Sequence, residues 1–281
     1  MAIQRKGIDI SQYQGDIDFA ALKNEVDFVI IRAGYGWTHY DVKAVDNICG
    51  CIANGIPFGI YWFGYALSVE NAITEANSCI DLLEQCTGGD RHKVLYPIAY
   101  DFEGDSVRYF SQQTGREPSR EEMQSFAKAF CDTVEQRGYY ASIYTNIDFW
   151  NRAFGELADR YDIWLAQWEV SAPSKPCGMW QVNSNFYYTG IAGRVDGDLA
   201  YKDYPVIIED MYKRQESEDE KEKEKQRALE KVKEDYWALY YGLAEEVLTG
   251  KWGNGRARKR ALNSCGYDYN YVQSIVDIIA G

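Results

Sequence analysis

Short runs of β-forming residues alternate with helical patterns through about the first 200 residues, and this alternation constrains the fold more than any other feature. The strand-like runs are 7–11, 28–34, 57–65, 94–103, 140–146, 163–168, 178–182 and 194–201. Helical patterns fill 18–24, 40–54, 68–84, 119–137 and 149–158. The run at 119 carries a capping signature, Ser119 with Glu122 three residues on, and Gly138 stops it. Strands separated by helices imply a mostly parallel sheet, and about eight of them suggest a barrel. Links between the last three are too short for full helices. The expected fold is therefore α/β: an irregular parallel β/α barrel, TIM-like, with incomplete helices at its end.

Composition changes abruptly after Pro205. Residues 209–235 are dominated by Glu, Lys, Asp, Arg and Gln, which describes a solvated helical spacer. A long heptad seam is missing, so a spacer is favoured over coiled-coil pairing. Beyond it, Leu239, Leu243, Val247 and Leu248 follow helical spacing. A turn at 250–255, a helix from Arg258 through Leu262 ended at Cys265-Gly266, and a last helix over 271–279 complete a three-helix bundle. Three parts are expected: 1–205, a barrel; 206–235, a charged helical linker; 236–281, a bundle. Met211, at the junction, is a position from which an internal start would yield a free bundle.

Tyr100-Asp101-Phe102-Glu103 ends an apolar run. Residues i and i+2 of a strand share a face, so Asp101 and Glu103 would disturb each other's protonation. A carboxylic acid kept protonated in this way can donate a proton near neutral pH, although the same tripeptide also occurs at solvated strand ends. Barrel chemistry sits where strands meet one mouth. Asp9 in the first strand and Asp196 near the last stand at such positions, making four acids from three distant strands. Only His39 and His92 are available as imidazole ligands and neither falls at a strand end, so no metal and no cofactor are expected. The remaining chemistry is protonation of a glycosidic oxygen. Tyr61, Tyr144, Trp164 and Gln181 are the candidate substrate-binding residues, the aromatic ones as faces for a sugar, with core packing as their other reading.

With 30 Lys and Arg against 43 Asp and Glu, the formal charge is −13, which excludes a phosphate-binding surface and hence nucleic acid as partner. Seven cysteines at irregular spacings match neither a disulfide framework nor a zinc site, and read as reduced thiols. No stretch approaches the roughly 18 apolar residues of a membrane span, so no membrane insertion is expected.

Several blocks together resemble glycoside hydrolase family 25, the muramidases of phage lysins and bacterial autolysins. They are residues 7–18 (Gly-Ile-Asp-Ile-Ser-Gln-Tyr-Gln-Gly-Asp-Ile-Asp), residues 28–36, Asp101-x-Glu103, Trp164-Leu165-Ala166-Gln167-Trp168 and Val195-Asp196-Gly197-Asp198. The likeness covers about residues 5–203. Where that family often has Tyr-His-Phe, this chain has Tyr61-Trp62-Phe63, a change expected at the rim that spares the carboxylates. The resemblance implies a lysozyme-type glycosidase cleaving the β-1,4 bond between N-acetylmuramic acid and N-acetylglucosamine. It implies Glu103 as general acid/base, Asp101 as the group that orients or stabilises the 2-acetamido function, and Asp9 and Asp196 as outer carboxylates. Residues 240–278, with Gly250-Lys251-Trp252-Gly253-Asn254-Gly255, Arg258, Leu262 and Gly266-Tyr267-Asp268-Tyr269, resemble a cell-wall-binding repeat of lysins. It implies bacterial peptidoglycan as partner, with Trp252, Arg258, Tyr267 and Asp268 as candidate contacts. For Trp252 and Tyr267, bundle core is the competing reading. A single repeat binds weakly unless the linker or bundle self-associates. A start without an apolar export segment implies synthesis in the host cytoplasm and action on the wall after release, as in an endolysin, or a cytoplasmic store exported by another route. Two alternatives stay open: hydrolysis of another β-1,4 amino-sugar glycan such as chitin, and a catalytically silent wall-binding protein.

Overall fold

The structure is a computed structural model describing residues 4–281; the first three residues, where the expectation about the chain start falls, lie outside it. The strands are β1 (Arg5–Ile10), β2 (Phe28–Tyr35), β3 (His39–Tyr40), β4 (Phe58–Phe63), β5 (Ile98–Asp101), β6 (Ala141–Asn146), β7 (Asp162–Ala166), β8 (Met179–Phe186) and β9 (Val195–Ala200). Between them lie α1 (Phe19–Leu22), α2 (Ala44–Asn54), α3 (Val69–Thr87), α4 (Gly104–Thr114), α5 (Arg120–Gln136) and α6 (Ile147–Arg152); α7 (Tyr204–Leu248), α8 (Gly255–Ser264) and α9 (Tyr269–Ala280) follow.

Among the described residues the sheet order is β1-β9-β8-β7-β6-β5-β4-β2-β3, and a β1–β2 pairing closes eight of these strands into a barrel. Pairing is parallel from β1 round to β8. The irregular end of the barrel is a reversed strand: β9 runs antiparallel to both β8 and β1. Its link from β8, residues 187–194, is too short for the crossover of about a dozen residues that a parallel return needs.

Alternation in the strands sorts side chains between two layers. Ile8, Ile10, Ile30 and Ile60 are fully or almost fully buried, as are Phe28, Phe58 and Phe130. Trp62 is also completely buried rather than at the rim. It points away from the barrel interior, where its Nε1 donates to the Gly36 carbonyl at 2.7 Å and its ring meets the edge of Tyr40. That bond secures the β2–β3 hairpin, which occupies the start of the expected 40–54 helix. Gly59 has no room for a side chain, because a Cβ there would stand 2.4 Å from the Pro97 carbonyl oxygen.

By compactness the chain divides into Met1–Arg214 and Gln215–Gly281. The first turns of α7 belong to the first unit: Tyr204 donates to Asp162 Oδ2 at 2.9 Å, Tyr212 donates to the Val94 carbonyl at 3.0 Å, and Ile208 is buried with them. Pro205 is therefore inside a helix, in the first turn that tolerates it, and the first unit extends past it. In the second unit the last turns of α7 pack with α8 and α9 around Tyr240, Leu243, Val247, Leu262, Val272 and Ile275. Spacer and first bundle helix are one helix. No Gly or Pro interrupts 206–241, and Glu, Lys, Arg and Gln are good helix formers.

Candidate active site

Asp9 stands near the end of β1, directly opposite Asp196 at the start of β9. Because β9 is reversed, its beginning, not its end, reaches the mouth. Asp101 is the last residue of β5, flanked in register by Phe63 and Tyr144. Glu103 lies past the strand as the N-cap of α4, still extended (φ −127°), with its N–H donating to Ser106 Oγ at 3.1 Å. Strand parity thus carries through: Asp101 and Glu103 face inward. Tyr100 and Phe102 face the helices, against Phe130 and Phe126.

All four acids line one cavity of about 240 Å³, together with Tyr61, Tyr144, Trp164, Gln181 and Arg32. A larger groove of about 640 Å³ shares Glu103, Tyr144, Gln181 and Asp196 as walls and adds Asn146, Asp148 and Trp168. Glu103 therefore borders both spaces, whereas Asp9 and Asp101 are buried at 7% and 4% exposure.

Hydrogen bonds tie the cavity wall together. Gln181 Nε2 donates to Asp9 Oδ2 at 2.8 Å, while its Oε1 accepts from the Tyr144 hydroxyl at 3.0 Å and from Trp168 Nε1 at 3.3 Å. The Tyr144 hydroxyl also stands beside the Glu103 carboxyl. Trp164 is 1% exposed and lies beneath the cavity, its ring against Tyr144 at 4.7 Å and its Nε1 donating to Asp198 at 2.7 Å. It supports the wall and offers no open face to a sugar. The half-exposed Trp168 does. Arg32, the cation of the cavity, gives its Nε to Asp41 at 2.7 Å and places its guanidinium 5.0 Å from the Tyr13 ring centre.

Burial dominates the electrostatics. It pushes Asp9 up to about 7, helped by the neighbouring Asp196. Asp101 is driven well above the ordinary carboxyl range by burial and then by Glu103. Burial also raises Glu103, opposed by its hydrogen bonds to Asp101 and Tyr144, and burial raises Asp196. Asp101 and Glu103 together thus retain a proton to higher pH than isolated acids would. Behind β5, the fully buried Glu75 of α3 accepts the Tyr65 N–H at 2.7 Å and the Tyr100 hydroxyl at 3.3 Å, and burial raises it to about 8.

Sequence reasoning passed over Arg32, Asp41 and Asp198. Arg32 and Asp198 lie within the strand-like runs 28–34 and 194–201 and carry no further signal in the sequence. Neither histidine lines the cavity: His92 pairs with Glu209 at 3.0 Å, and His39 lies in the β2–β3 hairpin. Among the described residues no group of His, Cys, Asp and Glu is arranged to hold a metal. No helix among them is long and apolar enough to cross a membrane.

In the second unit Trp252 and Tyr267 are partly buried against the bundle core, ring to ring at 6.1 Å, and Trp252 Nε1 donates to Glu246 at 2.8 Å. Asp268 caps α9 by accepting from the N–H groups of Asn270 and Tyr271. Arg258 is held by the Gly253 carbonyl at 3.0 Å and by Gln273 and Asn254, both at 3.2 Å.

An eight-stranded barrel with a buried carboxyl pair at one mouth has the architecture and acid chemistry of a glycoside hydrolase. The chain belongs to the glycosyl hydrolases family 25, whose model matches residues 8–191, and residues 242–279 match the CW_7 repeat. It is 26% identical over 205 residues to Lysozyme M1 of Streptomyces globisporus, covering 68% of this chain and 66% of that protein. To the N,O-diacetylmuramidase of Arthroderma benhamiae it is 29% identical over 198 residues, covering 69% and 80%. Among solved structures, the modular autolysin LytC from Streptococcus pneumoniae, in complex with a synthetic peptidoglycan ligand, superposes with a TM-score of 0.61 at 27% identity over 70% of this chain. The chain spans 47% of that autolysin's length.

Proposed function

We propose that the protein is a peptidoglycan hydrolase of the lysozyme type, an N-acetylmuramidase cleaving the β-1,4 bond between N-acetylmuramic acid and N-acetylglucosamine. One observation carries the reading: Glu103 borders both the acid-lined cavity and the groove, with Asp101 buried beneath it. A glycan lying in the groove would present its glycosidic oxygen to Glu103. Burial keeps that carboxyl protonated further towards neutrality, as a general acid requires. Asp101, under the same sugar, is suited to orienting the acetamido group or countering the positive charge that develops at the anomeric carbon. Asp9 and Asp196 form the opposite wall. The relatives support a muramyl substrate, and the CW_7 match supports wall binding by the second unit.

The test is digestion of purified peptidoglycan by the full chain, with mass analysis of the new reducing ends. Muramic reducing ends, lost by at least about a thousandfold in a folded Glu103→Gln variant, are expected. Glucosamine reducing ends would assign a different glycosidase. Near-full activity of the variant would remove Glu103 from the chemistry.

A further inference from the structure

The motif that supplies Asp196 carries a second acid two residues on. Asp198 is 2% exposed and faces the same side of β9. Its Oδ1 accepts from Trp164 Nε1 at 2.7 Å. Its Oδ2 is buried and meets no donor among the described residues; the Asp9 carboxyl, two residues along β1 from Gly7, which pairs with Asp198, is the acid beside it. Two buried carboxylates in contact repel strongly, whereas one proton between them makes a charge-assisted hydrogen bond. The groups facing Asp198 decide which of the pair holds the proton. Each of the pair accepts one donor, Asp9 of β1 from Gln181 of β8 and Asp198 from Trp164, but Asp9 lines the cavity whereas Asp198 is enclosed with one oxygen left without a donor, so the proton falls to Asp198. Asp196 from β9 adds negative charge, and Tyr188, from the stretch after β8, adds no positive charge. Among the described residues no cation faces Asp198.

We propose that Asp198 is a positioning residue that stays protonated, accepting from Trp164 on one oxygen and donating from the other to Asp9, so that the Asp9 carboxyl is presented to the cavity in a fixed rotamer and is the one of the pair that ionises. Asp9 then sits between two donors, Gln181 and Asp198. The role in turnover rests on the reading of the cavity as the active site, but the protonation state does not.

Asp198→Asn keeps the shape and a donor for Asp9. An infrared difference spectrum between wild type and this variant at about pH 8.5, above the range in which Asp9 ionises, should show the loss of one protonated carboxyl stretch with no loss of ionised carboxylate. Loss of an ionised carboxylate band instead would overturn the proposal, whatever the activity. On peptidoglycan, Asp198→Asn should keep kcat within about threefold, because a retained donor preserves the bond, whereas Asp198→Leu should lower kcat at least about tenfold with KM little changed. A folded Leu variant with wild-type kcat would refute positioning of Asp9. If Leu does not fold, the infrared result decides.

Discussion

Replacing Glu75 by Gln should stabilise the barrel in a way that depends on pH. Glu75 is fully buried and raised from 4.5 to about 8, with desolvation as the cause. Its folded value lies above its unfolded one, so its contribution to stability is intact below about pH 4.5 and is lost as pH rises towards about 8. At about 1.4 kcal/mol per pH unit, the loss accumulated by pH 7 is about 3 kcal/mol. A glutamine has the same shape, and its amide oxygen still accepts the Tyr65 N–H. Its NH₂ meets the Tyr100 hydroxyl, which turns to accept. The ionisation cost disappears. At about 2–4 °C per kcal/mol for a domain of this size, Tm should rise by about 6–12 °C at pH 7. The rise should shrink towards zero near pH 4, read by thermal unfolding of both proteins across the pH range. A shift that stays constant with pH would refute the linkage argument, and a less stable variant at pH 7 would show that the carboxylate itself is needed.

Other expectations can be checked with equally simple measurements. Trp168→Ala removes a half-exposed ring on the groove and should raise KM for peptidoglycan about threefold to tenfold, leaving kcat nearly unchanged, as expected for lost uniform binding. A fall in kcat alone would instead implicate its bond to Gln181. Gly59→Ala drives a Cβ to 2.4 Å from backbone and should cost at least about 2 kcal/mol in thermal unfolding. Gly242→Ala, in α7 with nothing within 4 Å of the new atom, should gain about 0.5–1 kcal/mol in the second unit. The opposite ordering of these two variants would contradict the packing described.

What could be read from the chain followed physical periodicity. Strand runs and the i,i+2 spacing of Asp101 and Glu103 were legible because both depend on local alternation, which continues through Glu103 even though β5 stops at Asp101. Helix α4 was not, because Gly104–Thr114 is polar and begins with a glycine, and its start is set by Glu103 and Ser106. The direction of β9 leaves no trace in composition; it follows from the short link before it. Trp62 looked like a rim residue because its neighbours Tyr61 and Phe63 face the cavity, yet alternation sends it the other way. Asp198 was hidden because its strand run places it on the face of Asp196, but its bond to Trp164 and its place beside Asp9 depend on the pairing of β9 with β8 and β1. The charge change after Pro205 is real but does not break the helix, since solvent exposure and helicity are independent.

The reversal of β9 also determines how the mouth tolerates change. Acids that follow parallel strands depend on where each strand stops, and a lengthened loop moves one of them at a time. Asp196 and Asp198 instead depend on the register of a strand clamped on both edges. A one-residue slip of Val195–Ala200 in its pairing would turn both acids outward together and present Val195 and Gly197 to the cavity. A residue inserted within 187–194 would fall in a connecting segment and leave both in place. Variation in length should therefore be confined to that segment, and β9 should behave as an all-or-none element of the site.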